Sequence, residues 1–316
     1  MHPALSVILF TTASGTGYGL LVLLILLNLN GLLPAGKGFG IAGFLIGLTL
    51  VTAGLLASTF HLGHPERAWR ALSQWRSSWL SREGVAAVAT YPFVLLFATG
   101  WVFYGNTGSG WSLAGSIAAL LAGLTVVCTG MIYASLKTIP QWHHPLTLIN
   151  YLVLGIAGGA VWLALLCELF GVGGNLPALL AAMMLPMAWA LKYSYWTVID
   201  KVPTPHNLGS ATGLGALGDV TPLDPPHTER NYVQKEMGFE IARKHAEKLR
   251  RTSVVFAFLL PIALLAGVVL TGGWFATLLA LLATASVSAG LLTERWLFFA
   301  EATHVSMLYY RGDQPV

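Results

Sequence analysis

The chain has 316 residues, 55% of them hydrophobic and only 9% charged, with a mean hydropathy of +0.69 and a formal net charge of +4. That much apolar surface cannot be hidden inside a soluble globule, so a soluble enzyme is excluded and a polytopic membrane protein is expected. The basic balance then reports topology, not affinity for nucleic acid.

Eight runs of about 20 or more mostly apolar residues read as membrane-spanning helices, at 5–29, 41–60, 85–104, 112–136, 147–170, 177–199, 252–271 and 275–300. The first is long enough to cross a bilayer and lacks the basic leader of a signal peptide, so it is expected to stay. The whole chain, 1–316, reads as one all-α integral membrane domain, with two four-helix bundles as the expected layout. Pro186 and Pro261 fall inside spans 6 and 7, where kinks are expected, and glycines recur in small-residue patterns that permit close helix contact. Cys128 and Cys167 lie within apolar spans with no CxxC or Cys-His spacing, so they read as packing residues.

Threading the spans in alternation puts every Lys and Arg except Lys37 on one side, here called side A. Side A holds the N-terminus, the 63–84 connection with Arg67, Arg70, Arg76 and Arg82, the 138–145 segment, the 200–251 loop and the C-terminus. The excess of basic residues marks the cytoplasmic face, which predicts a bacterial inner-membrane protein with both termini inside. Side B has only short, Gly-rich, nearly uncharged turns.

The 200–251 loop reads in two parts. Residues 202–227 are rich in Pro and Gly and are expected to lie extended on a surface. Residues 228–251 place Val233, Met237, Ile241 and Leu249 at near-helical spacing among charges, an amphipathic helix for a partner subunit or for anionic lipid.

Ionisable and aromatic residues gather at the side A ends of the spans: His61, Glu83, Tyr133, Lys137, Trp142, His143, His144, Lys192, Tyr195, Glu294 and Arg295. Such groups are expensive in a bilayer and mark sites or the vicinity of water. A quinone head group needs partners for two oxygens, a route for two protons and an apolar slot for its tail, and this ring of residues offers all three. The alternative is structural: His and Glu at helix ends are commonly interfacial caps, and Arg and Trp anchor headgroups. Glu294 and Arg295 are adjacent, about 100° apart on a helix, so Arg295 is expected to meet a carboxylate of another helix, with Glu83 the candidate. A transporter would hold its polar residues near the midplane. A di-haem anchor would need paired intramembrane histidines, and only His61 and His304, at the same end, approach that. A purely structural anchor is the third rival.

The segment 61–83, HLGHPERAWRALSQWRSSWLSRE, resembles the loop between spans 2 and 3 of the membrane anchor subunits of the dimethyl sulfoxide reductase family. The matching positions are His61, Leu62, Gly63, Pro65, Arg67 and Ala68, then Leu80, Ser81 and Glu83. The stretch Tyr133 to Trp142 and the ending Glu294, Arg295, Phe298, Phe299 also look like family segments. The resemblance implies an anchor exchanging electrons between membrane quinone, ubiquinone or menaquinone, and an iron-sulfur subunit that serves a molybdopterin catalytic subunit. Clusters and molybdopterin would reside on those partners, and the anchor would hold no haem and no metal. The family's quinol-associated His and Glu map onto His61 and Glu83. Around them, Arg70, Arg82 or Arg295 would stabilise negative charge on the reduced head group, Tyr133 and Trp142 would wall the pocket, and Glu294 and His64 would serve as structural or proton-relay groups. Because the arginine-bearing loop should face the cytoplasm, the chain looks like the anchors of cytoplasmic quinone-dependent sulfite dehydrogenases. A dimethyl sulfoxide, polysulfide or other oxyanion reductase anchor is the alternative.

Overall fold

Eight helices long and apolar enough to cross a membrane organise the computed structural model, which describes residues 5–60, 62–201, 207–221, 223–224, 245–303 and 305. They are α1 Leu5–Leu29, α2 Lys37–Thr59, α3 Trp79–Tyr104, α4 Ser109–Ala134, α5 Pro145–Phe170, α6 Leu176–Ile199, α7 Ala246–Leu270 and α8 Gly273–Ala300. No strand occurs among the described residues. The helices α1 to α4 pack on one another as one bundle and α5 to α8 as a second, and α1 and α4 join the two by lying against α5.

Where the helices begin follows local chemistry more than hydropathy. The helix α3 starts at Trp79, six residues before its apolar run, because Ser78 caps it by accepting a hydrogen bond from the Ser81 N–H. Glu83 therefore sits in the second turn of α3, inside the bundle, and not at the first residue of a span. The helix α5 starts at Pro145 behind His144, whose Nδ1 accepts from the Leu146 N–H. The helix α7 begins at Ala246, also earlier than its apolar run, with polar first turns that carry Arg250. On side B, Gly105 and Gly171 end α3 and α5 in the left-handed region (φ 59° and 61°), the conformation that makes glycine the natural stop.

Pro261 has a visible consequence. Residues Val255–Leu259 of α7 form a π turn, and the Leu260 N–H bonds the Val255 carbonyl one residue further back than in an α-helix. The next donor in that register would be Pro261, which has no N–H. The Phe256 carbonyl it would have served is taken instead by Ser286 Oγ of α8, at 2.8 Å.

The two bundles meet through glycine. Gly15 and Gly19 on α1 face Gly155 and Gly159 on α5, so that a Cβ at Gly19 would stand 2.1 Å from the Gly155 carbonyl oxygen and one at Gly159 would stand 2.2 Å from the Leu20 nitrogen. Each helix thus presents a small-xxx-small pair, and the backbones touch.

Between α2 and α3, Pro65–Gln74 form a 3-10 helix with no buried residue. It lies along the start of α3, with Leu72 over Gly84 and the Ser81 hydroxyl bonded to the Ala71 carbonyl. Part of the Pro- and Gly-rich stretch that the sequence suggested would be extended is locally folded. Leu208–Thr212 make one helical turn under an Asn207–Ser210 capping box, Gly213 ends it at φ 73°, and Gly215–Leu217 form a 3-10 turn. Most of the amphipathic segment expected at 228–251 lies outside the described residues; its last part, from Ala246, is the start of α7.

The glycine crossing predicts opposite outcomes for similar substitutions. Gly159→Ala drives a methyl group into the α1 backbone and should lower stability by about 1–3 kcal/mol or more. Gly123→Ala on α4, where nothing lies within 4 Å of the new Cβ, should stay within about 0.5 kcal/mol of the parent. Thermal unfolding of the purified protein in detergent distinguishes them.

Candidate functional site

The side A half of the molecule holds a buried ionic and aromatic cluster. Lys192 of α6 and Glu294 of α8, 1% and 0% exposed, form an ion pair with Nζ to Oε1 at 2.5 Å. Arg295 Nε lies 3.6 Å from Glu294 Oε2, and its guanidinium stacks 3.7 Å over the Tyr151 ring. Lys192 Nζ is also 4.3 Å from the Tyr195 ring centroid and 5.2 Å from that of Trp196. Ion pairs out of water survive only when the geometry offsets lost hydration, and the aromatic faces around these two cations supply part of that offset. The expectation that Arg295 would reach a carboxylate of another helix is thus corrected. The carboxylate it approaches is the adjacent Glu294, which a cation on α6 holds in place.

Around this pair aromatic rings pack on one another. Tyr133 stacks on Tyr151 at 5.5 Å and meets Trp142 edge-on at 5.2 Å, while Trp142 stacks on Phe298 at 5.5 Å. The Trp142 indole N–H donates to the Phe298 carbonyl at 2.9 Å, and the Tyr195 hydroxyl donates to the Gln141 carbonyl at 2.9 Å. Tyr133 and Trp142 are therefore buried parts of a packed cluster that locks the 135–144 segment onto α8.

A small cleft, of about 10 Å³ and wide enough for a single water molecule, does open between α1, α5 and α8. It is lined by Thr11, Thr12, Thr16, Tyr151, Leu291 and Arg295 among others. The Thr12 hydroxyl that borders it has no hydrogen-bond partner among the described residues.

Glu83 lies on the other side of Tyr133, 3% exposed, between α3 and α4. Its Oε1 accepts a hydrogen bond from the Thr129 hydroxyl of α4, and no ion pair to it occurs among the described residues. The neighbouring Arg82 turns away. It stacks 4.3 Å over Trp79 and donates to the Trp75 and Arg76 carbonyls at 3.0 and 2.7 Å, closing the loop before α3. Arg70 is exposed and lies over Trp69 at 5.7 Å. His64 is exposed and contacts Glu66 at 3.1 Å. His143 bonds the Ala134 carbonyl at 2.7 Å and His144 caps α5, so both act as helix-end partners. His61 and His304 lie outside the described residues. Among the described residues no three His, Cys, Asp or Glu side chains converge as a metal site would require.

The structure thus brings Tyr133, Trp142, Glu294 and Arg295 together, sets Glu83 beside Tyr133, and leaves Arg70, Arg82 and His64 in the loop outside. Sequence reasoning missed Thr129 and Tyr151 altogether, and it counted Lys192 in the polar ring without giving it a role. For Lys192 a signal existed, since a buried glutamate demands a cation on a neighbouring helix. For Thr129 none did, because an intramembrane threonine commonly bonds its own helix.

A second ionic group stands at the side A surface. Arg250 of α7 grips Asp200, after α6, with two bonds of 2.7 and 2.8 Å, and Glu301, after α8, with one of 2.6 Å. Burial pushes the Glu301 carboxyl above the usual carboxylate range, although Arg250 pulls it down. One guanidinium therefore ties three helix ends together.

A family model described as DMSO reductase anchor subunit (DmsC) matches residues 1–300. The sequence is 33% identical over 331 aligned positions to the C subunit of sulfite dehydrogenase from Allochromatium vinosum, covering 99% of each protein. It is 29% identical over 189 positions to the C polypeptide of the anaerobic dimethyl sulfoxide reductase from Escherichia coli, covering 55% of this protein and 61% of that one.

The buried pair makes a sharp prediction. Glu294→Leu leaves the buried Lys192 and Arg295 cations without the carboxylate they share and should cost about 3–5 kcal/mol, whereas Lys192→Met, which leaves Glu294 beside Arg295, should cost less. Unfolding midpoints of both variants in detergent check it; equal losses in both would show that packing, not charge, sets the stability here.

Proposed function

Since the chain belongs to the DMSO reductase anchor subunit family, we propose that it serves a three-subunit molybdoenzyme as the subunit that exchanges electrons with membrane quinone at side A. The observation that carries this reading is Glu83: a carboxyl buried in the second turn of α3, hydrogen-bonded by Thr129 and with no ion pair among the described residues. A carboxyl engaged in an ion pair is held charged, whereas one that has a hydroxyl as its partner is free to gain and release a proton.

The residues fit a quinone in kind. Bound there, the quinone accepts or gives two electrons and two protons, which makes it the link between the membrane and the iron-sulfur subunit. The protein's part is to move protons and hold charge. Glu83 carries a proton at its carboxyl, His61, which follows α2 in the sequence, offers a second hydrogen-bonding group, and the aromatic cluster around Tyr133 keeps water from the far side of the carboxyl. Arg295 contributes positive charge beyond Tyr133, held by Glu294 and Lys192. Arg70, Arg82 and His64 point into the side A loop, where they suit contact with a partner subunit better than contact with a head group.

Side A is the cytoplasmic face in this proposal, because all the basic residues but Lys37 lie there. The iron-sulfur subunit and the molybdenum subunit would then dock in the cytoplasm of a bacterial cell. Likeness to the Allochromatium protein along its whole length supports sulfite oxidation to sulfate as the reaction of the complex. The shorter likeness to the Escherichia coli protein favours the second reading, an anchor that oxidises quinol for a reductase. The oxidant and reductant pair that the co-purified complex couples decides between them.

Glu83→Gln and His61→Ala complexes should assemble with normal stoichiometry. Each should lose quinone-linked turnover by about 100-fold or more while keeping activity with a soluble dye acceptor. Full quinone-linked turnover in both would remove the site. For sidedness, Arg76→Cys should resist a membrane-impermeant maleimide in intact cells and react after permeabilisation, with Lys37→Cys showing the reverse. The native Cys128 and Cys167 are buried, which keeps the background low.

A further inference from the structure

We propose that Thr129 is a positioning residue for Glu83, and that its hydroxyl lets the carboxyl change protonation state without losing its hydrogen bond. The inference rests on the reading of Glu83 as the proton-carrying group of the quinone site.

The geometry is a hydroxyl with two acceptors and one proton. Thr129 Oγ1 lies within hydrogen-bonding distance of Glu83 Oε1 on α3 and of the Thr125 carbonyl on its own helix, the latter at 3.0 Å. A hydroxyl donates once and accepts through its lone pairs. When Glu83 is ionised, Thr129 donates to the carboxylate, a charge-assisted bond. When Glu83 is protonated, the acid O–H donates to Thr129 Oγ1, and the threonine proton turns to the Thr125 carbonyl. Both arrangements use the same heavy-atom positions, so the switch needs only rotation about one C–O bond. An orphaned buried polar group is costly, and this arrangement avoids that cost in both states.

The other groups near Glu83 do not duplicate the role. Arg82, next in sequence, is committed to the Trp75 and Arg76 carbonyls. The titratable side chains that lie near enough to feel Glu83 are Tyr18 from α1 and Cys128 and Tyr133 from α4. The helix α2, which also packs on α3, carries no titratable side chain except Lys37 at its opposite end. The exposed 3-10 helix before α3 contributes Glu66, Arg67 and Arg70, all turned to its outer face.

The test compares Thr129→Val, which keeps the shape and loses the hydroxyl, with Thr129→Ser, which keeps the hydroxyl. Thr129→Ala is a second hydroxyl-free variant should valine impair assembly. In the intact complex, infrared difference spectroscopy follows the carboxyl C=O band assigned to Glu83 by its loss in Glu83→Gln. In Thr129→Val the band should move to higher frequency and its titration to higher pH by about one unit, because the charged form loses the stronger bond. The pH profile of quinone-linked turnover should move with it, and Thr129→Ser should restore all three. A band and titration unchanged in both hydroxyl-free variants would overturn the proposal. If the band responds to Thr129 while Glu83→Gln keeps full quinone-linked turnover, the coupling stands and the assignment of Glu83 to the quinone site fails.

Discussion

The crossing of α1 and α5 over four glycines is the contact from which the rest of the architecture follows. Hydrocarbon gives helices no hydrophobic reason to associate, so close van der Waals contact has to supply it, and backbone-to-backbone approach is the densest form available. Gly15, Gly19, Gly155 and Gly159 allow that approach. Once α1 and α5 are fixed, α2 and α4 pack on the first and α6 and α8 on the second. The side A ends of α4, α5, α6 and α8 are then brought round a common centre where their polar residues meet.

What meets there obeys the rule that a membrane interior tolerates charge only in company. Lys192 and Glu294 come from different bundle helices and neutralise each other, and Arg295 rests on an aromatic ring and on the same glutamate. The same logic governs α7, where Pro261 removes a donor and Ser286 of α8 satisfies the carbonyl left behind. Glu83 stands apart from this pattern. It is buried like the ion pair, yet its partner among the described residues is a hydroxyl and not a cation.

The division of labour along the membrane normal is equally plain. Side B is closed by short glycine-capped turns that leave little surface for a soluble protein. Side A carries the 3-10 helix with its exposed Trp69, Trp75 and arginines, the Arg250 tie across three helix ends, and the 200–251 connection. Arg250 stiffens this face by joining α6, α7 and α8 where they leave the bilayer.

The sequence alone determined the number of helices, their alternation, the crowding of ionisable groups at one face and the family. Those properties are carried by hydropathy, by charge count and by a contiguous motif, all of which can be read along a line. Helix starts were less legible: the capping hydroxyl of Ser78 and the polar first turns of α7 extend helices beyond their apolar runs. Partnership was decided only by the tertiary structure. Arg295 turned to Glu294 and not to Glu83, Arg82 turned to its own loop, and Tyr133 and Trp142 closed into a packed cluster, because helix rotation and tilt, set by the glycine crossing, choose which side chains face each other. Thr129 shows the limit most clearly, since nothing in a run of small and apolar residues distinguishes a threonine that bonds only its own helix from one that also bonds a buried carboxyl on the next.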